Sequence, residues 1–318
     1  MKKIMVFLCV VLLLSTGLFA DNIFEDINFK VSIGAESFSA PVKMGECEIF
    51  RYDSFITIGD ENDGFSYEDI YTLSLHDVNG LEKQNRVFVR FDMKGPLCGV
   101  YIKAGAMQIA ETIFGDFKTR WQDELIYKEF EKEYHDIYRS EYLGKQISTT
   151  PYNNFFYGFG MNIYIINSEK IALNFNGDFS TFRNKNFRLN FIHNLESMEW
   201  NEETNYLDQI TVIFDNIENK TLKLGTQLSI KGETFSPWIN LGYVFYQTDL
   251  QGKYISRMTF DKNRPNEEIR NFYTKTNLIN NFLISSGMFI KIAKNFEVEA
   301  FASLGAFNGA GLSWIILL

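Results

Sequence analysis

The sequence predicts an all-β chain closed as an antiparallel transmembrane β-barrel. Three observations lead there: long runs of apolar–polar alternation, many aromatics with little proline, and short turns set against long connections. Period-two alternation is the mark of a strand with two unlike faces. The 318 residues include 31 Phe, 16 Tyr and 4 Trp but only 5 Pro. Strands favour aromatics and exclude proline from ladder interiors. Beyond the first residues no apolar run approaches the ~18 residues of a membrane helix. A spanning chain without such helices must close into a barrel, because lipid cannot satisfy free backbone groups.

The N-terminus predicts export. Lys2 and Lys3 precede an apolar run from Ile4 to Leu14, then Ser15–Ala20 and the acidic Asp21. That order reads as a signal peptide over residues 1–20, cleaved after Ala20, with Ser15 to Gly17 as the other cleavage region. The mature part, 21–318, is then one barrel. Loss of Lys2 and Lys3 takes the formal charge from -9 to about -11. An acidic chain of mixed sign excludes nucleic acid as a partner, which would require a basic face.

The alternating runs place strands near 27–37, 48–58, 67–77, 86–94, 97–110, 153–166, 171–183, 187–196, 206–215, 221–231, 235–249, 276–292, 296–306 and 311–318. This gives about fourteen strands, with twelve as the alternative because the second, eighth and ninth are weakly patterned. Several runs reach the ~9–11 residues of a membrane strand, longer than the ~5–6 of a soluble one. A soluble β-sandwich stays open, since alternation alone does not separate a lipid face from a dry core. Short links occur at Asn167–Lys170, Lys231–Glu233 and Ala293–Asn295, and long ones at 113–152 and 251–276. Short turns on one side and long loops on the other suit a bacterial barrel. Within 117–144, Trp121, Leu125, Phe130, Tyr134, Ile137, Tyr138 and Tyr142 fall at helical spacings, and Glu124–Lys128 and Lys132–Asp136 are i,i+4 pairs. These predict a helix in the longest outer loop, capping the mouth or entering the lumen.

Inward positions carry the candidate functional residues: Lys30, Glu36, Arg86, Arg90, Asp92, Lys103, Asn162, Asn174, Asn176, Asp178, Arg188, Asn190, Lys223, Gln227, Lys291, Glu297 and Glu299. Such a face suits water and small polar solutes, or else pairs its charges and plugs the barrel. The expected function is a porin-like channel for passive passage of small solutes. The alternative is a closed barrel whose loops bind partners outside, and a lesser one is an enzyme acting on envelope lipid. Catalysis is not expected. Ser74 and His76 share a face, but Asp77 lies on the other, so no triad is implied. His76, His135 and His193 are scattered from Cys47 and Cys98, and the acidic turn Asp60–Gly64 lacks a calcium-loop pattern, so no metal or cofactor is expected. Cys47 and Cys98 fall at opposite ends of the wall and should not bridge.

The chain ends on an alternating strand with Trp314, Ile316 and Leu318. In this ending and in its layout the sequence resembles bacterial outer-membrane β-barrel proteins. That resemblance implies an outer-membrane location and partners among outer-membrane lipid and the barrel-assembly machinery. Trp314, Ile316 and Leu318 would serve as the assembly signal, although the terminal residue is Leu rather than the usual Phe.

Overall fold

The structure, a computed structural model, describes residues 27–58, 65–114, 117–129, 132–144, 147–148, 151–185, 206–259 and 265–318. Among these residues sixteen strands form: β1 (Asn28–Met44), β2 (Cys47–Ile58), β3 (Phe65–His76), β4 (Asn79–Lys94), β5 (Cys98–Phe114), β6 (Phe117–Glu129), β7 (Lys132–Gly144), β8 (Ile147–Ser148), β9 (Tyr152–Asn167), β10 (Ile171–Lys185), β11 (Tyr206–Ile230), β12 (Phe235–Thr259), β13 (Pro265–Leu278), β14 (Phe282–Ala293), β15 (Phe296–Gly305) and β16 (Asn308–Leu317). Ten of them close a ring in the order β1-β4-β5-β9-β10-β11-β12-β14-β15-β16, with β16 returning to β1. Every pairing is antiparallel, and closure leaves the ring without an edge.

The barrel wall therefore holds ten strands, fewer than the twelve to fourteen expected from alternation. The expected second and third strands exist as β2 and β3, but they leave the wall and pair in a separate sheet, β2-β3-β6-β7. This sheet continues the wall outward. Lys43 pairs with Asn79 in the β1–β4 ladder, and four residues on Cys47 pairs with Leu75 in the same register. Likewise Gly80 pairs with Phe114, and four residues on His76 pairs with Lys118. Asp77, in the left-handed region at φ 53, marks the break between β3 and β4. Alternation identified these strands but could not give their height above the membrane. The expected strands at 206–215 and 221–231 are one strand of 25 residues, β11. At ~3.3 Å per residue and a tilt of ~40°, such a strand rises about 60 Å, twice the ~30 Å hydrocarbon core. The expected strand 187–196 lies outside the described residues.

The helix expected within 117–144 is instead the hairpin β6–β7. Its spacing satisfies a helix, but the register places Arg120 opposite Glu141, Lys128 opposite Glu133 and Glu129 opposite Lys132. Residues Phe117 to Glu129 pair one for one with Lys132 to Gly144, and the Trp, Tyr, Thr and Ile content of the segment favours a strand.

All four short turns of the ring (95–97, 168–170, 231–234 and 294–295) lie at one end, with Asn28 and Leu318. At the other end every connection is long except Ala306-Phe307. There Gly305 adopts φ 102, and its N–H donates to Asn308 Oδ1 at 2.9 Å, so the chain reverses tightly. Above this early reversal β13 takes over the gap. It pairs with β12 over Gln247–Thr259 and with β1 at Val42–Met44. Three strands of the lower ring (β14, β15 and β16) are thus replaced by one, and the upper ring closes with eight.

The faces invert along the barrel. On β12 the outward residues Phe235, Ile239, Leu241, Tyr243 and Phe245 are all exposed. The next outward positions are Gln247, Asp249, Gln251 and Lys253. On β1 the outward set runs Phe29, Val31, Ile33, Ala35 and then Ser37, Ser39; on β4 it runs Met93, Phe91, Val89, Val87 and then Asn85, Lys83. An exposed apolar band around a closed barrel is a lipid-facing surface, and its limit marks the far membrane border. The interior changes at the same height, from polar below to apolar above.

Candidate functional site

The barrel interior has two layers. The lower one is a polar chamber of about 470 Å³, lined by residues from all ten wall strands. The upper one is a packed layer at and above the membrane border. Phe38 and Val42 of β1, Met107 and Ile109 of β5, Phe156 of β9, Phe182 of β10, Ile217 of β11, Tyr246 of β12 and Leu278 of β13 are all buried there. Phe307, 3% exposed, projects into this layer from the β15–β16 reversal. Its ring lies 4.7 Å from Phe38 and 6.1 Å, edge-on, from Tyr246. An eight-strand ring is just wide enough for side chains to fill. Narrowing from ten strands to eight is therefore what lets the upper layer pack dry.

Buried polar groups run through the packed layer and pair with one another, although the Arg86 Nε has no hydrogen-bond partner. Tyr246 OH donates to Glu82 Oε1 at 2.6 Å, and Gln84 Nε2 donates to Tyr246 OH at 3.2 Å and also reaches Glu82. Arg86, 3% exposed, donates from NH2 to Gln84 Oε1 at 2.8 Å and pairs with Glu36 Oε1 at 3.4 Å. Its guanidinium also lies over the rings of Phe38 (4.7 Å) and Phe156 (5.2 Å). Arg86 is thus sandwiched where the chamber meets the seal.

In the chamber, Lys103 Nζ donates to both carboxylate oxygens of Asp178, at 2.8 and 2.6 Å, and Tyr101 OH donates to Oδ2. Gly160 makes this possible: a Cβ there would collide with the Tyr101 ring. Arg90 pairs with Asp92, its Nε donating at 2.9 Å, and its guanidinium stacks 3.7 Å from the Tyr101 centroid. Lys30 and Glu297 stand 3.5 Å apart, and Asn176 Nδ2 donates to Asn240 Oδ1 at 2.9 Å. These pairs are half-buried, and leaving one member without its partner is costly.

Of the residues expected to face inward, Lys30, Glu36, Arg90, Asp92, Lys103, Asn162, Asn174, Asn176, Asp178, Lys223, Gln227, Glu297 and Glu299 line the chamber. Arg86 sits above it, in the seal. Lys291 is exposed at the turn end, opposite Glu297 in register and outside the lining. Arg188 and Asn190 fall outside the described residues, as do the segment 1–20 and the Asp60–Gly64 turn. Sequence reasoning missed the aromatic ceiling and the hairpin tip that completes it. The available signal was the change of alternation phase at Phe38, Ala40 and Val42.

Ser74 Oγ lies 2.7 Å from His76 Nε2, and Glu46 Oε1 lies 3.4 Å from the same nitrogen. Glu46 therefore does not hold the opposite ring nitrogen, as the orienting member of a triad must. Among the described residues no group of three or more His, Cys, Asp or Glu could hold a metal ion. Cys47 is buried and Cys98 exposed, and both are free. In β16, Trp314 and Ile316 are exposed on the outward face, with Leu318 exposed beyond its end, and the strand closes the ring against β1.

No family model matches the chain, and no curated protein matches it. Among solved structures it is similar to the outer membrane protease OmpT from Escherichia coli, with 10% identity, 93% of this chain and 95% of that chain covered, and a TM-score of 0.35. It is also similar to the transport unit of the autotransporter AIDA-I from Escherichia coli, with 10% identity, 97% and 95% covered, and a TM-score of 0.26. A third is an outer membrane channel from Pseudomonas putida F1, with 9% identity, 94% and 98% covered, and a TM-score of 0.28. Protease, transport unit and channel describe those proteins, not this chain. The closed antiparallel wall and its apolar outer band are the architecture of an outer-membrane β-barrel protein.

Proposed function

We propose that this chain is a non-conducting outer-membrane barrel that anchors β-ribbons beyond the membrane, where they bind a partner outside. One observation carries the reading: side chains from all eight upper strands fill the ring at the membrane border. Water and ions would have to cross a layer in which Val42, Ile109 and Val244 are 0% exposed and Met107 and Phe182 are 1% exposed. Dewetted apolar constrictions stop conduction. The turn end, with its short connections, Asn28 and Leu318, is the periplasmic side in this reading, so the ribbons point outward. Export by residues 1–20, insertion into outer-membrane lipid and delivery by the assembly machinery through Trp314, Ile316 and Leu318 belong to the same proposal, as does the absence of catalysis.

The polar chamber favours a second reading, a porin-like channel for small polar solutes with a seal that opens. Single-channel recording in planar bilayers separates the two. A closed anchor gives no unitary currents across the voltage range. Regular current steps from wild-type protein would sink the anchor reading and leave the channel.

A further inference from the structure

At the inner end of the chamber the charges do not balance. Arg86, Lys103 and Lys223 lie within electrostatic reach of one another and of two carboxylates, Glu36 and Asp178. Glu36 is taken by Arg86. Asp178 stands directly opposite Lys223 in register, but its oxygens are engaged by Lys103 and Tyr101. Lys223 is left with no ion pair among the described residues. Its ammonium lies 4.9 Å from the Phe307 centroid and 6.0 Å from Phe38, against the dry ceiling. A half-buried charge without an ion-pair partner is costly, and the low-dielectric wall beside it strengthens attraction for a counter-charge.

The mouth repeats the bias. Lys94, at the turn end of β4, sits 4.8 Å from the Tyr164 ring centroid. Lys231, at the turn end of β11, donates to Asn167 Oδ1 and to the Ser168 carbonyl at 2.8 and 2.6 Å. Neither has a carboxylate partner among the described residues, and the only lining carboxylate without one is Glu299. The Asn176 and Asn240 amides flank Gly225, two residues from Lys223, and further toward the turn end Asn174, opposite Gln227, is 5% exposed and its Oδ1 has no hydrogen-bond partner. The volume is that of a small-molecule site, and one positioned charge among amides and aromatic rings is what such a site uses for orientation.

We infer that the chamber is a blind binding site for a small organic anion, a carboxylate or phosphate ester, which enters at the turn end and sets its acidic group at Lys223. The blind end rests on the sealed barrel proposed above, whereas anion binding at Lys223 is read by titration and the seal by bilayer currents, so either can fail without the other. Asp178 holds Lys103 and Glu36 holds Arg86, and the two carboxylates offset the mutual repulsion of the clustered cations. Lys94 and Lys231 raise the anion concentration at the mouth.

The test is isothermal titration of the detergent-solubilised full-length protein at low ionic strength with succinate, with inorganic phosphate and with choline chloride as the cation control. Saturable binding of either anion, absent for choline, is expected. Lys223→Met should weaken it by about tenfold or more, Lys223→Arg should keep it within about threefold, and Lys170→Met, at an exposed turn, should leave it unchanged. Retained heat-modifiable gel migration certifies that each variant is folded. Succinate binding without phosphate binding, or the reverse, supports the site and names its preferred head group. Absence of saturation by both anions, equal affinity in wild type and Lys223→Met, or an equal loss in Lys170→Met overturns it.

Discussion

Replacing Phe307 with Ala tests whether the β15–β16 reversal completes the seal. The side chain is 3% exposed and packs on Phe38, Tyr246 and the Lys223 ammonium. Truncation to Ala removes roughly 120 Å² of apolar area from burial, about 3 kcal/mol at ~25 cal/mol per Å². The void adds about 1 kcal/mol if some 50 Å³ of it persists, at ~24 cal/mol per Å³. Loss of the ring facing Lys223 adds about another 0.5 kcal/mol. The expected destabilisation is therefore about 4.5 kcal/mol, a large part of the ~5–15 kcal/mol typical of a folded domain. Urea unfolding of vesicle-reconstituted protein, followed by heat-modifiable migration, measures it. Phe307→Leu, which keeps most of the volume, should cost only about 1–2 kcal/mol. Bilayer currents should stay absent in both variants, because the surrounding layer of Val42, Met107, Phe156 and Phe182 remains. A loss below about 1 kcal/mol for the Ala variant would mean that Phe307 is not part of the packed layer, and the account of the seal would fall with it.

Other expectations follow from the same geometry. Lys103→Met strands the Asp178 carboxylate and should cost about 3–5 kcal/mol, whereas adding Asp178→Asn should restore much of it; strict additivity in that double-mutant cycle would contradict the pairing. Burial pushes the Cys47 thiol up to about 12, with Glu48 adding to it, while Cys98 is exposed. A maleimide at pH 8 should thus label Cys98 rapidly and Cys47 only on unfolding, and mass spectrometry showing the reverse order would place one of them wrongly. Beyond the membrane border, burial pushes the Asp249 carboxyl up, but hydrogen bonds from Gln247 and Tyr273 and the nearby Lys275 and Lys220 outweigh it and hold it below the ordinary value. Its contribution is then complete above about pH 4 and fades as pH falls through the lowered folded-state value. Because the group stays in contact with water on the outward face, screening should keep the effect under about 1 kcal/mol. Asp249→Asn should flatten the acid limb of stability, and an unchanged limb would remove Asp249 from the account.

How much could be read from the sequence varied with what each pattern depends on. Outward residues such as Val87, Val89, Phe91 and Met93 alternate with Arg86, Phe88, Arg90 and Asp92 for a local reason, the pleat, so strand and face were legible. Charged chamber residues such as Lys103 and Asp178 were legible for the same reason. Which strands share the wall depends on long-range pairing, which β2 and β3 do not advertise: they carry the alternation of their continuations β1 and β4. Helical spacing in 117–144 misled because Phe117, Thr119, Trp121, Leu125 and Tyr127 also share one parity, and aromatic-rich segments can satisfy both periods. Only the β3–β6 ladder, which extends β4–β5 without a slip, decides between them.

The phase of alternation held more information than its presence. On β1 apolar side chains occupy odd positions from Phe29 to Ala35 and even positions from Phe38 to Met44. On β12 they are odd from Phe235 to Phe245, while Val244, Tyr246 and Leu250 are even and buried. On β5 they pass from Ile102, Ala104 and Ala106 to Met107 and Ile109. A register slip could flip faces in this way. Yet no bulge interrupts the β1–β4 ladder from Asn28–Lys94 to Lys43–Asn79. The backbone runs straight through and the solvent changes around it. In lipid the outside must be apolar and the inside can be wet; above the border the outside meets water and a stable ring needs a dry core. A ten-strand ring is too wide to fill with side chains, so the change of phase has to coincide with a loss of circumference. The reversal at Ala306-Phe307 and the takeover by β13 provide that loss at the same height. The blind end of the chamber is thus a consequence of one barrel crossing from one solvent into another.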